Sequence, residues 1–271
     1  MAPGAVWNGP LAVMINRGSA SASEIFAAAI QDHRRGLVIG ETSYGKGTVQ
    51  TMIDLGQVAH APNAKLGDLK LTIAQFFRVN GGTTQLRGVT PDIELPAISD
   101  KEHYGETSYG NGLPWMQIKP ADFHPMSNIG KVLPELEQRH DRRVSSDRDY
   151  QNLLEDIAEF DKRRKKDAVS LNETERRQER DAQEAKMKLR EKDGATAAST
   201  DGHAATEAVA SAESDTDADS RQEQEKRDKK DRDVLLTEAA SILGDNVALQ
   251  GNQVAEASPV AKPSRKKKAA N

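Results

Sequence analysis

Apolar and polar positions recur with different periods along this chain, and the changes of period divide it into elements. Leu11 to Ile15 (LAVMI) is a continuous apolar run of strand length, the pattern of a strand buried on both faces. Asn16-Arg17-Gly18 turns the chain, and Ser21 to about Arg34 then carries Ile25, Phe26, Ala29 and Ile30 at helical spacing in an alanine-rich stretch. Gly36 ends that helix, and Leu37 to Ile39 gives a second short apolar strand. Strand, helix and strand within about thirty residues predict a βαβ unit with parallel strands. Thr48 to Leu55 alternates, Lys70 to Val79 is rich in β-forming residues, and Asn80-Gly81-Gly82 supplies turn chemistry. Thr90-Pro91-Asp92 and Pro96 predict the exit from the sheet.

From about Pro125 the pattern is helical and charged. Tyr150, Leu153, Leu154, Ile157 and Phe160 form one face of an amphipathic helix. Asn172, with Glu175 three residues later, has the form of a capping box opening a helix over 172–192 whose surface is almost wholly charged. The Ala/Ser/Thr/Asp/Gly-rich stretch over 194–220 predicts a disordered linker. Residues 221–250 predict a last helix, apolar at Leu235, Leu236, Ala239, Ile242 and Leu243, and 251–271 a basic disordered tail.

Composition sharpens this division. All eleven aromatic residues lie at or before Phe160 and fifteen of the twenty glycines at or before Gly112, so the packed, turn-rich part lies early and the rest is apolar-poor. The 38 basic and 42 acidic residues nearly balance at a net charge of −4, which gives no general case for a nucleic-acid partner. Cysteine is absent, which excludes disulfides, thiolate metal sites and cysteine nucleophiles. No apolar run reaches the length of a membrane helix, and the first residues lack the pattern of a signal peptide.

Arg17-Gly-Ser-Ala-Ser-Ala-Ser-Glu24 carries the most chemical information. A buried strand ends, a glycine turns the chain, and small residues lead into a helix whose free N–H groups could hold an oxyanion beside a serine nucleophile. The same residues form a capping box, with Ser21 the cap and Glu24 at N3, and by spacing alone a capping serine is the commoner case. A serine nucleophile needs a base. His33, twelve residues along the helix from Ser21, is roughly 18 Å away; His60, His103, His124, His140 and His203 lie in loop-like or charged context, form no metal-ligand pair, and read as surface histidines. Lys46, between Gly45 and Gly47 after an apolar strand, is the other candidate, since a lysine desolvated beside a substrate can accept a proton at neutral pH. Its bland alternative is a turn lysine pointing at water. Gly40-Glu-Thr-Ser-Tyr-Gly45-Lys46 also matches the opening of a phosphate-binding loop, but Gly47 occupies the hydroxyl position and a strand follows instead of a helix.

SASASEIFAAAIQDHRRGLVIGETSYGKGTVQ and GGTTQLRGVTPDIELP together resemble the catalytic region of the C-terminal-processing, or tail-specific, serine peptidases, continuously over residues 10–96. NGLPW (111–115) and the charged helical remainder resemble the carboxy-terminal region of the larger members. The resemblance implies an α/β fold: the second half of a βα peptidase core over 1–97, then a connecting segment and charged, mostly α-helical region over 98–193. It implies a Ser–Lys dyad, with Ser21 as nucleophile, Lys46 as general base, Gln50 orienting the lysine, and the backbone N–H of Ala22 as half of an oxyanion hole. Asp32 matches an acidic position important in tail-specific members. It lies roughly 16 Å down the helix from Ser21, so it is expected to act indirectly. Lys46 and Gln50 would stand about 13 Å apart on a straight strand, so the flanking glycines must bend the chain or the lysine reach back. His33 stands where the family often has tyrosine. No cofactor or metal is implied. The implied partners are protein substrates with apolar C-termini, a possible adaptor protein and an amino-terminal half carrying a PDZ domain; the implied location is the periplasm. The chain is expected to be a fragment, inactive alone. The alternative is a non-catalytic helical module that binds other proteins.

Overall fold

The structure, a computed structural model, describes residues 7–61, 64–97, 104–166, 168, 170–198, 231 and 233–250. In chain order the elements are β1 (Ala12–Ile15), α1 (Ala22–Asp32), β2 (Leu37–Gly40), β3 (Thr48–Asp54), α2 (Leu55–Val58), β4 (Asp68–Gln75), β5 (Ile93–Glu94), α3 (Ile129–Ser146), α4 (Arg148–Arg164) and α5 (Glu173–Ala198). A further helix, α6, covers 233–250.

The fold is α/β with a mostly helical second half, as the sequence pattern predicts. β1 and β2 pair in parallel, Ala12 opposite Leu37 and Ile15 opposite Gly40, with α1 as the crossover. All four residues of β2 are buried because it is the middle strand, which accounts for its unbroken apolar sequence. The third strand corrects the expected exit from the sheet near Pro91. β5 pairs in parallel with β2, Ile39 opposite Ile93, and Asp92 secures the join by accepting from the Val38 amide at 2.7 Å. Proline ends local hydrogen bonding, but the two residues after Asp92 return to a strand already in place. β3 and β4 form a separate antiparallel hairpin from Thr48 opposite Gln75 to Asp54 opposite Asp68, with an irregularity between Val49 and Gln50.

Two compact units are present, residues 1–157 with 229–271, and residues 158–228. Within the first, one apolar core crosses the boundary expected at 97. Leu37, Ile39, Ile93 and Leu95 of the sheet pack with Ile129, Val132 and Leu136 of α3, Tyr150 and Leu153 of α4, and Leu235, Ala239 and Ile242 of α6. α6 is therefore part of this core, about 140 residues beyond the strand it helps to cover. His140, read from sequence as a surface histidine, is buried and hydrogen-bonds Glu238 of α6 through Nδ1 at 2.7 Å. Its charged neighbours along the chain concealed the partner that covers it.

In the second unit α5 bears charged pairs along its length, such as Arg177 with Glu173 at 2.7 Å, which are exposed and contribute little. Asn172 Oδ1 accepts from the Thr174 amide at 2.9 Å, while Glu175 turns to Ser170 instead of closing the expected capping box. The helix runs on through Gly194 to Ala198, where a linker was expected to begin at 194; Ala195, Ala197 and Ala198 favour helix strongly enough to extend it. The rest of that linker, the first part of the expected last helix and the basic tail lie outside the described residues.

Candidate active site

The turn between β1 and α1 delivers Ser21 to the start of the helix with φ 56° and ψ −112°, a conformation that residues with a side chain rarely adopt. Such strain persists only where neighbours hold the backbone, and here the holding group is Glu24. Its carboxylate is fully buried and accepts four hydrogen bonds. Oε2 takes the amides of Ser21 at 2.8 Å and Lys46 at 2.9 Å, and Oε1 takes the Ser43 hydroxyl at 2.6 Å and the Gly45 amide at 2.7 Å. Charge-assisted bonds of this kind are about twice as strong as neutral ones, and four of them compensate the burial of one carboxylate.

Both halves of a capping box are present: Glu24 accepts from the Ser21 amide at 2.8 Å, and the Glu24 amide, which donates to the Ser21 carbonyl at 2.9 Å, also faces the Ser21 side chain. The Ala22 amide, the first of the helix, has no hydrogen-bond acceptor among the described residues, as the opening N–H groups of a helix generally lack one within it.

The Lys46 loop is fixed on both sides. Glu24 holds the amides of Gly45 and Lys46, and the fully buried Gln85 takes the Gly47 amide on Oε1 at 2.9 Å while donating from Nε2 to Glu106 at 2.9 Å. Three successive amides are captured by two buried side chains. Both glycines are required by this geometry. Gly45 has φ +97°, and a Cβ on Gly47 would lie 2.4 Å from Thr83 Oγ1 and 2.7 Å from the Gln85 amide nitrogen. Lys46 is half-buried, and its side-chain amine forms no ion pair among the described residues. Beside it, burial, then a hydrogen bond with Tyr109, push the Tyr44 phenol up to about 12, so it is uncharged at neutral pH.

Of the residues singled out from sequence, Ser21, Ala22 and Lys46 are brought together around Glu24. Asp32 is not. It pairs with Arg78, which donates from Nε to Oδ2 at 3.0 Å and from Nη2 to Oδ1 at 2.5 Å, and the same Nη2 donates to Gln31 at 2.7 Å. This ties the end of α1 to the segment leaving β4. Gln50 is exposed on β3 and donates to Thr72 Oγ1 at 3.4 Å across the hairpin. His33 stacks edge-on against Phe123 at 5.5 Å.

Sequence reasoning missed Glu24 as more than a cap, and missed Gln85 and Arg78 altogether. Their partners are tens of residues away, and the one signal was that Glu24 and Gln85 lie inside the two segments already singled out; Arg78 lies just outside the second. Among the described residues no cluster of acidic and histidine side chains could hold a metal ion, and no helix is long and apolar enough to cross a membrane.

The βαβ sheet thus carries a serine of positive φ at a helix start, tied through a buried glutamate to a glycine-flanked lysine. Residues 2–95 match Peptidase family S41, and residues 99–248 match the family described as the C-terminal domain of tail specific protease. The chain belongs to the tail-specific protease family. It is 43% identical over 183 residues to the tail-specific protease of Haemophilus influenzae, covering 66% of this chain and 26% of that one. It is 51% identical over 96 residues to the carboxy-terminal-processing protease of Bartonella bacilliformis, covering 35% of this chain and 20% of the relative. Among solved structures, a photosystem II D1 C-terminal processing protease is 40% identical over 32% of this chain and 20% of its own, with a TM-score of 0.28. The chain therefore spans about a quarter or less of the length of these relatives. The match to these proteases supports a peptidase role.

Proposed function

We propose that this chain contributes the nucleophile and the general base of a serine endopeptidase, with Ser21 and Lys46 in those roles. The observation that carries the reading is the double hydrogen bond of Glu24 Oε2, which holds the backbone of both residues to one atom. Ser21 Oγ attacks the scissile carbonyl as the Lys46 amine takes its proton. The oxyanion forms beside the Ala22 amide, which has no competing acceptor among the described residues. Lys46 then gives the proton to the leaving amine, and water, deprotonated in turn, releases the acyl group from Ser21. Asp32 acts through Arg78 by holding α1 to the segment leaving β4. Gln50, which donates from Nε2 to Thr72, keeps its amide oxygen to accept from the Lys46 amine and orient it.

The substrates are proteins recognised by apolar C-terminal tails and cleaved in the periplasm, as the family resemblance implies. A chimera in which residues 8–250 replace the corresponding part of the Haemophilus influenzae relative tests this. It should cleave a reporter bearing an apolar tail, and Ser21→Ala and Lys46→Ala should each remove nearly all turnover while the circular dichroism stays unchanged. Full activity in either variant would refute the dyad.

A further inference from the structure

The two ends of a glutamine amide are alike in shape, so the buried Gln85 side chain fits its surroundings in either of two orientations. Only one of them serves the lysine loop. The Gly47 N–H is a donor and needs the amide oxygen; reversed, the amide would set an NH2 group against it in a place shielded from water. Glu106 makes the selection. Its carboxylate accepts the Gln85 Nε2 at 2.9 Å, and this turns Oε1 of the same amide toward Gly47.

Glu106 grips the loop a second time through its backbone, its amide donating to the Tyr44 carbonyl at 3.0 Å. Its own segment is fixed by Arg17, which is buried in the turn between β1 and α1. The guanidinium donates from Nε to the Tyr104 carbonyl at 2.6 Å, from Nη1 to the Ser43 carbonyl at 2.7 Å, and from Nη2 to Thr107 Oγ1 at 3.4 Å. It passes so close over Gly105 that a Cβ there would lie 2.3 Å from Nη2. One side chain thus joins the turn before Ser21, the lysine loop and residues 104–107. Those last residues lie beyond the peptidase match, which ends at 95, and inside the match to the C-terminal domain.

We infer that Glu106 is a positioning residue for the general base, supplied from the C-terminal domain: it orients Gln85, which sets the loop that carries Lys46. The catalytic part of this role rests on the reading of Lys46 as base, so the test has two readouts. In the 15N-labelled chain, Glu106→Met removes the acceptor at nearly constant volume. Hydrogen exchange of the Gly47 amide should then quicken about tenfold or more, while the Val38 and Ile39 amides of β2 keep their rates. Glu106→Gln still offers an oxygen to Gln85 Nε2 and should restore the protection. In the chimera, Glu106→Met should lower kcat about tenfold or more with KM within about twofold, and Glu106→Gln should recover most of it. If Glu106→Met does not fold, a reciprocal exchange decides. Gln85→Glu sets two carboxylates together and should impair both readouts; adding Glu106→Gln, which offers an N–H to the new carboxylate, should restore them.

Unchanged Gly47 exchange in folded Glu106→Met, or no rescue by the reciprocal exchange, would overturn the inference. So would an unchanged kcat in a chimera that cleaves, and that result leaves the protease reading standing. Lost Gly47 protection that Glu106→Gln restores, beside a parent chimera that cleaves nothing, supports Glu106 as the residue that sets the loop and removes the protease reading.

Discussion

The backbone amides of Ser21 and Lys46 donate to the same oxygen of Glu24, at 2.8 and 2.9 Å. Two nitrogens at hydrogen-bond distance from one atom lie within about 6 Å of each other, although twenty-five positions separate them in the chain. The other oxygen of that carboxylate holds Ser43 and Gly45, so every part of the lysine loop up to Lys46 is referred to the first turn of α1.

Replacing Glu24 tests this arrangement. In Glu24→Gln one oxygen becomes an NH2 group that confronts two donors, and in Glu24→Ala all four donors lose their acceptor. We expect a loss of about 2 to 4 kcal/mol in unfolding free energy for either variant, measured by urea denaturation. The Gln variant should show the amide signals of Ser21 and Lys46, or of Ser43 and Gly45, displaced as pairs according to which oxygen is replaced. A change below about 0.5 kcal/mol would mean that the network is not held by the carboxylate.

How far this was readable from sequence depended on the range of each interaction. β1, α1 and β2 are legible because their apolar runs are local and continuous. β5 is not, since two residues after a proline carry no strand signal and pair only because β2 is already there. α3 escaped notice because its buried positions, Ile129, Val132 and Leu136, are spread among charged residues and its cover comes from α6. Ser21 and Lys46 stood out through their small neighbours, whereas the partners of Glu24 and Gln85 depend on which loops the fold brings together.

Gly47→Ala should be costly although alanine is nearly the smallest change possible. The added methyl group would overlap Thr83 Oγ1 and the Gln85 backbone, and relief requires moving the segment that fixes the lysine loop. A loss of about 1 to 3 kcal/mol is expected. The hydrogen-exchange protection of the Gly47 amide should fall, because its bond to Gln85 lengthens. Gly67→Ala is the control, having a positive φ but open space, and it should carry backbone strain alone.

Asp32 and Arg78 form a planar two-point pair with side-chain exposures of 7% and 15%. Arg78→Lys keeps the charge but not the fork, so it should destabilise the chain by about 1 to 2 kcal/mol. Removing either partner leaves a charge in a poorly hydrated place, and Asp32→Ala or Arg78→Ala should cost about 3 kcal/mol. The double variant should cost less than the sum of the single ones, with a coupling above about 1 kcal/mol in a double-mutant cycle of denaturation measurements. Strict additivity would show the pair to be incidental.

The attachment of α6 to α3 should weaken in acid, and the direction follows from Glu238. Burial pushes its carboxyl up, but hydrogen bonds from His140 and Arg143 outweigh that and hold it below the ordinary glutamate value of 4.5. The Arg143 guanidinium is correspondingly raised by its bond to Glu238. A carboxyl whose folded pKa lies below its unfolded value stabilises the fold fully above the unfolded value. That contribution fades as pH falls through the folded value, because the unfolded chain then binds the proton first. Thermal unfolding followed from about pH 7 to about pH 3 should therefore show Glu238→Gln less stable than the parent at neutral pH, with the gap closing in acid. Hydrogen exchange should place the acid loosening in 233–250 before β2, whose residues are fully buried. A gap that stayed constant to the lowest pH would mean that the ionised carboxylate does not hold α6 in place.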